Sequence, residues 1–245
     1  MTAPFEFYEV GGKVRDEILG LQSKDVDYVA VPKATLLEEF PEAADMFDLL
    51  VDYLTREKFQ IFLITKDCYT IRAKFPDGHK YQGVADFVMS RKETGYVPFT
   101  RTPIIKPGTL FDDLQRRDFT LNALAREADG SIIDYFDGLT HLKLGLLVTP
   151  LPCEETFHDD PLRILRAIRF SITKGFTIPE EMSQVIKHYD YEVKMCVVSA
   201  ERIREELFKC FKHDTHATIL KLSEYPFLME YIFRTQIWLK PTMEE

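Results

Sequence analysis

Three aspartates have the spacing expected of a divalent-metal site. Asp25 and Asp27 alternate along the stretch DVDYVAV, so in a strand their side chains point to the same face. Carboxylates about 7 Å apart repel each other unless a cation lies between them, and a hard cation such as Mg²⁺ suits these oxygen ligands. Asp86, in VADFVM, is a candidate third carboxylate from a neighbouring strand. The three are predicted metal ligands and catalytic residues; the alternative is a solvent-facing acidic edge strand.

A glycine pair precedes the first aspartates. Gly11 and Gly12 separate the strand-like FEFYEV from the helix-like VRDEILG, with Arg15 following after about one helical turn. A glycine turn before a helix frees backbone N–H groups to meet an anion, so these residues are candidates for phosphate binding. A plain tight turn would have the same sequence. A phosphate cradle beside a metal-binding acid pair would hold a nucleotide polyphosphate against metal.

The stretch HDDPLRILRAIRF carries a charged row at intervals of three residues. Asp160, Arg163, Arg166 and Arg169 form a polar ridge on a predicted helix whose other side is apolar. An aspartate that accepts from an exocyclic amine and an arginine that donates to a ring nitrogen suit adenine and cytosine and reject guanine and uracil. Asp160 and Arg163 are therefore candidate base readers, and the other two arginines are candidates for the triphosphate. The alternative is a salt-bridged surface helix.

The segment QRRDFTLNALA holds a further polar group. Arg117 and Asp118 come before a helix-like apolar run, and Asn122 lies one turn beyond Asp118. Helix capping and ion pairing with Arg116 are the simple interpretation, and contact with ribose or phosphate is the functional one.

Composition limits the class of protein. The chain has 245 residues, 45% hydrophobic and 29% charged, enough to bury a core without disulfides. Its 31 basic and 40 acidic residues give a net charge of −9, so nucleic acid would have to bind a local basic surface. No apolar run is long enough for a bilayer span and no leader pattern begins the chain. Four widely spaced cysteines predict buried thiols rather than zinc ligands, and we expect a cytoplasmic protein with no membrane partner.

The elements that must position these residues change character along the chain. Alternating and β-branched patterns predict strands at 5–10, 25–31, 59–65, 68–75 and 81–91, and helical periodicity predicts helices at 34–58, 111–125, 160–174, 179–190, 199–213 and 215–235. Residues 92–110 have three prolines and two glycines without a regular period, which predicts a functional or mobile loop. The fold class is α+β, a small mixed sheet with helices followed by an all-α part. The break falls near residues 145–155.

Five motifs, in this order and at these distances, resemble the bacterial-type (class II) CCA tRNA nucleotidyltransferases and their poly(A) polymerase relatives. They are GGKVRD with KDVDYV, RRDFTLNALA, DYFDGLTHLKLG, DDPLRILRAIRF and SAERIREEL, and they cover most of residues 5–213. The resemblance implies a polymerase-β-like palm, or head, at 1–145, a helical neck that recognises the base at 146–213, and a short helical segment at 214–245. Glu245 falls about where the neck of relatives ends, so we expect the body and tail to be largely absent.

The resemblance also implies residue roles. Two Mg²⁺ ions would be held by Asp25, Asp27 and Asp86, and the loop at 92–110 would take part in switching from C to A addition. The implied nucleotide contacts are Gly11, Gly12, Arg15, Arg117, Asp118, Asn122, Asp160, Arg163, Arg166 and Arg169. Asp159 departs from the family pattern, in which many relatives have Glu.

The implied function is template-independent addition of C and A to the 3′ end of tRNA from CTP and ATP. The alternatives are a poly(A)-type or single-nucleotide-adding polymerase on another RNA, nucleotide transfer to a protein or small molecule, and a non-catalytic RNA- or nucleotide-binding module. With its acidic charge and no tail, the chain is expected to bind RNA weakly and in a salt-sensitive way. Alternatively, a homo-oligomer or a partner protein would supply further RNA contacts.

Overall fold

The computed structural model of the chain describes residues 3–22, 26–97 and 102–234. The chain folds into two compact units. The first unit comprises Met1–Tyr96 with Pro103–Thr140, and the second comprises Val97–Thr102 with His141–Glu245. This division lies a few residues before the predicted boundary at 145, and the domain roles assigned to 1–145, 146–213 and 214–245 stay predictions.

The strands of the described residues all lie before residue 135. They are β1 Phe5–Val10, β2 Asp27–Pro32, β3 Gln60–Thr65, β4 Thr70–Lys74, β5 Val84–Met89, β6 Arg91–Tyr96, β7 Pro103–Pro107, β8 Leu124–Arg126 and β9 Ile132–Asp134. The first helices are α1 Gly12–Ile18, α2 Ala34–Glu39, α3 Ala43–Arg56, α4 Leu110–Gln115 and α5 Gly138–Leu144. The later ones are α6 Cys153–Asp159, α7 Leu162–Thr173, α8 Glu180–Lys187, α9 Tyr191–Lys194, α10 Ala200–His213, α11 Thr215–Ser223 and α12 Pro226–Arg234.

A seven-stranded mixed sheet forms the centre of the first unit. Its strand order is β3-β4-β5-β2-β1-β8-β9, and only β2 and β5 run parallel to each other. Because side chains alternate along each strand, the sheet has two chemically different faces. We call the face that carries Asp27 and Asp86 the carboxylate face, and the face that carries their neighbours Tyr28 and Phe87 the aromatic face.

The aromatic face holds the larger core. Buried side chains of the amphipathic helix α3, among them Met46, Phe47 and Leu50, pack in one cluster with Tyr28 and Phe87. The rings of Tyr28 and Phe87 are stacked with centroids 5.4 Å apart. Burying such aromatic surface supplies most of the driving force for this face.

The carboxylate face is covered by the short helix α4. Leu110 and Leu114 of α4 are buried against Val10 of β1 and Val29 of β2. Thr109 begins the helix with a capping box, in which its hydroxyl accepts from the Asp112 amide and the Asp112 carboxylate accepts from the Thr109 amide. The cap fixes where α4 starts and therefore which of its residues face the sheet.

Two local predictions are wrong in the type of element, and the predicted helices at 34–58 and 215–235 are each divided into two shorter helices, α2 with α3 and α11 with α12. Most of the described part of 92–110 is not irregular, because β6 and β7 pair as an antiparallel hairpin, while residues 98–101 of the predicted loop lie outside the described residues. The prolines of β7 lie at its first and last positions, where a strand tolerates a missing N–H donor. The predicted helix at 111–125 ends at Gln115, and residues 124–126 pair instead with β1 and β9. In both cases a long-range strand partner overrides the local pattern.

The second unit is built from the helices after Thr140. In α7 the side chains of Leu162, Ile164, Leu165, Ala167, Ile168 and Phe170 are buried, as the apolar side of the charged row predicts. None of the described helices combines the length and apolar character needed to cross a bilayer.

The prediction of four buried cysteines is half wrong. Cys68 and Cys196 are exposed, and Cys153 and Cys210 are buried. Burial raises the pKa of Cys153 to about 11 and of Cys210 to about 12, so both are protonated thiols at neutral pH.

Candidate active site

Two of the three predicted metal ligands lie side by side. Asp27 begins β2 and Asp86 lies in β5, and the parallel register of these strands makes the two aspartates direct cross-strand partners. The amide of Asp86 donates to the carbonyl of Val26 over 3.0 Å, which fixes this register at the start of β2. Both carboxylates therefore project from the same face of the sheet. Asp25, the third predicted ligand, lies outside the described residues.

The environment of Asp86 fits a cation. Its Oδ1 atom is buried and accepts no hydrogen bond within the described residues, and its ionic neighbour is Nε of Arg72, 3.8 Å away. A buried carboxylate oxygen without a hydrogen bond is costly, and a hard divalent cation would satisfy it. No group of three or more metal-ligating side chains is assembled among the described residues. Asp27 and Asp86 thus place two carboxylates on one face of the sheet, and Mg²⁺ binding by them stays a prediction.

The glycine turn borders these carboxylates. Gly11 has φ 76° and ψ −139°, a conformation that favours glycine, and Gly12 begins α1. A Cβ at Gly11 would lie 3.3 Å from Nη1 of Arg117 and 3.6 Å from Oδ2 of Asp27. The absence of a side chain at Gly11, just after β1, therefore leaves a gap between the Arg117 guanidinium and the Asp27 carboxylate.

A buried carboxylate that the sequence analysis missed holds Arg117 in place. Asp113 of α4 is fully buried, and its Oδ2 accepts from Nη2 of Arg117 over 3.0 Å. Its Oδ1 accepts from Nε of Arg116 over 3.1 Å. Burial alone would raise the pKa of Asp113, but the two guanidinium groups outweigh it and hold the pKa below its usual value. The spacing of Asp113 to Arg116 and Arg117, three and four residues, was the available signal.

The same charged cluster continues into the β6–β7 hairpin. Nη1 of Arg116 lies 3.8 Å from Oε1 of Glu93, and Nη2 of Arg91 donates to that oxygen over 3.1 Å. Burial would lower the pKa of Arg116, but Asp113 and Glu93 reverse that effect and raise it. The hairpin strand is thus joined by ion pairs to the helix that positions Arg117.

Arg15, Asp118 and Asn122 form a buried polar chain. Nη1 of Arg15 donates to Oδ1 of Asn122 over 2.6 Å, and Nδ2 of Asn122 donates to Oδ1 of Asp118 over 2.9 Å. Nη1 of Arg117 donates to the carbonyl of Asn122 over 3.2 Å, which connects this chain to Asp113. The structure therefore brings the predicted residues of α1 and of QRRDFTLNALA together. It also makes Arg15 a buried member of the framework, tied to Asp16 as well.

The second unit holds the remaining predicted residues on and before α7. Asp160 precedes the helix rather than lying in it, and its Oδ1 accepts from the Leu162 amide over 3.0 Å. Arg163 donates from Nη1 to the carbonyl of Thr156 over 3.1 Å. These contacts hold both side chains close to the start of α7.

The two later arginines have different surroundings. Arg169 forms an ion pair with the buried Glu206 of α10, and its guanidinium carbon lies 4.3 Å from the ring centroid of Phe170. Burial would raise the pKa of Glu206, but Arg169 holds it below its usual value. The half-buried Arg166 lies 5.8 Å from the same ring. The structure thus gives Arg169 a structural partner, and triphosphate binding by the two arginines stays a prediction.

Comparison with known proteins gives consistent matches. The family model described as the poly A polymerase head domain matches residues 7–148. A CCA-adding enzyme of Lactiplantibacillus plantarum is 36% identical over 207 residues, which cover 84% of this chain and 45% of that protein. The chain thus spans about half the length of the curated relatives it matches.

Solved structures give the same result. The crystal structure of the Bacillus stearothermophilus CCA-adding enzyme in complex with CTP superposes with a TM-score of 0.70 at 25% identity, over 90% of this chain and 48% of that one. A tRNA nucleotidyltransferase complexed with a primer tRNA and an incoming ATP analog superposes with a TM-score of 0.67 at 28% identity, over 94% and 59%. With the paired carboxylates of the mixed sheet, these matches show that the chain belongs to the poly A polymerase head-domain family and has the polymerase-β-like nucleotidyltransferase fold.

Proposed function

We propose that the chain catalyses template-independent nucleotidyl transfer to an RNA 3′ end, adding C and A to tRNA from CTP and ATP. The observation that carries this proposal is the pairing of Asp27 with Asp86 on adjacent parallel strands, beside the gap at Gly11 and the guanidinium of Arg117. Similarity to CCA-adding enzymes supports the choice of acceptor and nucleotides. A tRNA acceptor also favours the cytoplasm as the compartment.

In this proposal the carboxylates bind Mg²⁺ and the turn binds the triphosphate. Asp27 and Asp86 are the described ligands, and Asp25 is the predicted third one. Bound Mg²⁺ supplies activation of the attacking hydroxyl and neutralisation of the leaving pyrophosphate. Gly11 leaves room for a phosphate next to Arg117, whose guanidinium is already oriented by Asp113. A preoriented cation loses little conformational entropy when it binds the phosphate.

The reaction exchanges a phosphoanhydride bond of the nucleoside triphosphate for a phosphodiester bond of the RNA. The oxygen of the RNA 3′-hydroxyl forms a bond to the α-phosphorus, and the bond from that phosphorus to the bridging oxygen of the β-phosphate breaks. The hydroxyl proton passes to solvent and pyrophosphate leaves. The role of the protein is to align the two reactants and to stabilise the charge that develops.

Base selection is proposed to come from side chains of the second unit. Asp160 offers a carboxylate and Arg163 a guanidinium at the start of α7, a pair that suits the amine and ring nitrogen shared by adenine and cytosine. Contacts of Gly12, Arg15, Asp118, Asn122, Arg166 and Arg169 with the nucleotide are proposed on the same basis. For the buried Arg15 and Asn122, we propose support of the turn and of Arg117 as their part in binding.

The test is nucleotide incorporation into three tRNA transcripts that end before CCA, after CC and after CCA. Each ribonucleotide is offered alone and in mixture with Mg²⁺, and products are resolved to single nucleotides, with Asp27→Asn as the inactive control. Growth that stops at CCA is expected. Growth past CCA would favour a poly(A)-type enzyme, and pyrophosphate release without RNA would favour another acceptor. Absence of Mg²⁺-dependent turnover on every acceptor would favour a non-catalytic binding module.

A further inference from the structure

The aromatic face of the sheet contains a cavity of about 240 Å³ that the proposed reaction does not use. It lies wholly within the first unit, and its lining residues come from β1, β2, β5 and β8 and from segments next to the strands. Interiors of proteins are close-packed, with few voids larger than a water molecule. This cavity is larger than such voids and opens to solvent beside the exposed Ala128, so a ligand can enter it.

The wall of the cavity is mostly aromatic. Tyr28 and Phe87 form part of it as a stacked pair, and Phe75 is stacked on His79 with ring centroids 4.8 Å apart. The ring of Tyr81 lies 5.8 Å from that of Phe75. Clusters of this kind favour a planar aromatic ligand, since its rings can stack on or meet the edges of the wall.

The size of the cavity selects the class of ring. An apolar cavity of about 150 Å³ accommodates one benzene molecule. A volume of about 240 Å³ therefore suits a bicyclic ring system and is below the range of about 300–1,000 Å³ typical of drug-sized ligands. A purine base fits this range, whereas a pyrimidine would leave part of the space empty.

One side of the wall is polar, with an acceptor beside a donor. Glu9 and Arg126 are cross-strand partners, and Oε2 of Glu9 accepts from Nη1 of Arg126 over 3.0 Å. Tyr28 also donates to Glu9, over 3.0 Å. Burial would raise the pKa of Glu9, but Lys13, Tyr28 and Arg126 hold it below its usual value, so the carboxylate stays ionised. Glu9 accepts from Lys13, Tyr28 and Arg126, but a carboxylate has about four acceptor positions and a guanidinium has five N–H donors, so the pair keeps capacity for the amino group and ring nitrogen that adenine presents side by side.

The charges around the mouth disfavour a triphosphate. Arg126 is shared between Glu9 and Glu17, and Glu127 lies at the wall. Lys80 donates to the carbonyl of Ala128 over 3.0 Å and covers the ring of Tyr81 at 5.2 Å. The carboxylates of Glu9, Glu17 and Glu127 therefore balance the charges of the nearby cations Lys13, Lys80 and Arg126. A neutral base or nucleoside suits this electrostatic setting better than a polyanion.

We propose that this cavity is a binding site for an adenine base, presented either by a free nucleoside or by an unstacked residue of an RNA strand. The site lies behind the proposed catalytic carboxylates, because Tyr28 and Phe87 are the residues that follow Asp27 and Asp86 in their strands. It is separate from the nucleotide contacts of the carboxylate face. Adenine binding stands independently of the transferase activity.

The test measures binding of adenosine to the full chain by ligand-observed saturation-transfer NMR, with cytidine and a six-residue oligoadenylate as further probes. Ala128→Phe places a ring at the exposed mouth of the cavity, and Ala128→Ser is its matched control. Thermal unfolding checks that both variants are folded. Tyr81→Ala, which removes a half-buried wall ring, serves as the second variant if Ala128→Phe does not fold.

Saturable adenosine binding that Ala128→Phe weakens at least tenfold, and Ala128→Ser leaves within twofold, is the expected result. Tighter binding of the oligoadenylate with the same sensitivity would assign the base to an RNA strand, and binding of adenosine alone would assign it to a free nucleoside. The proposal is overturned if adenosine does not bind, if cytidine binds equally well, or if a folded Ala128→Phe protein binds adenosine as the control does.

Discussion

The two faces of the central sheet differ in chemistry, although consecutive residues of the same strands supply both. On the carboxylate face, Asp27 and Asp86 lie beside a charged cluster in which Arg117 is bound to Asp113 and to the carbonyl of Asn122. On the aromatic face, Tyr28 and Phe87 pack against rings and against α3. Strand alternation makes this separation possible, because consecutive residues point to opposite sides. A site that binds charged groups can thus share its strands with a hydrophobic core.

The difference between the faces also shows where rigidity comes from. The core of the aromatic face is held by apolar burial, which is large but non-directional. Arg117 is held by hydrogen bonds and ion pairs to Asp113 and Asn122, which are directional and fix its guanidinium in one orientation. The charged network therefore sets geometry, and the core supplies most of the stability.

Substitution of a predicted metal-binding carboxylate should produce the largest loss of activity without a loss of stability. We expect Asp86→Asn to lower the rate of nucleotide incorporation by about 10³-fold, because several kcal/mol of charge stabilisation from metal are lost. Stability to urea should hold or rise, since the buried Oδ1 of Asp86 has no hydrogen bond to lose within the described residues. Single-turnover incorporation assays measure the effect, with the exposed Asp67→Asn as control. A rate within tenfold of the unsubstituted protein would contradict the assignment.

Removal of the charge that orients Arg117 should have the next largest effect. We expect Asp113→Asn to reduce incorporation by about 10²-fold through misplacement of Arg117, and to reduce the free energy of unfolding by about 3–5 kcal/mol. The neighbouring Asp112→Asn, which affects the capping box and a half-exposed ion pair with Lys92, should cost about 1 kcal/mol. Equal losses in the two variants would argue against a special role for the buried carboxylate.

The Asp113 variant also has a pH signature. The pKa of Asp113 is lowered from its usual 3.8 in the folded state, so its stabilisation is complete above that value and is lost as pH falls through the folded pKa. The free energy of unfolding in urea should therefore fall below about pH 4 in the unsubstituted protein. Asp113→Asn should show a smaller decrease over the same pH range. Identical slopes for the two proteins would show that Asp113 is not ionised in this role.

The smallest effect is expected on the opposite face. Tyr28→Phe removes the hydrogen bond to Glu9 and keeps the ring, so the free energy of unfolding should fall by about 1 kcal/mol. Incorporation should stay within twofold, because the hydroxyl points away from the carboxylate face. Tyr8→Phe, which loses a hydrogen bond to the exposed Glu6, is the matched control and should cost less. A large loss of incorporation in Tyr28→Phe would show that the two faces are coupled.

Much of the fold followed from local patterns in the sequence. The turn at Gly11 and Gly12, the strands that carry Asp27 and Asp86, and the apolar side of α7 all agree with the predicted elements. Motif order indicated the family, which the similarity to known proteins confirmed. These features were accessible because each is carried by residues close together in the chain, whose periodicity or conformational demand is visible in isolation.

The arrangement of the site was decided by contacts between distant residues. No local sequence pattern shows that Asp27 and Asp86 are cross-strand partners, that the buried Arg15 donates to Asn122, or that β6 and β7 pair. The sequence by itself determined the residue types, the alternation that separates the faces, and the family. Only the tertiary structure decided which charged groups became the framework and which remained beside the gap at Gly11, because burial and ion pairing depend on register and packing across the whole sheet.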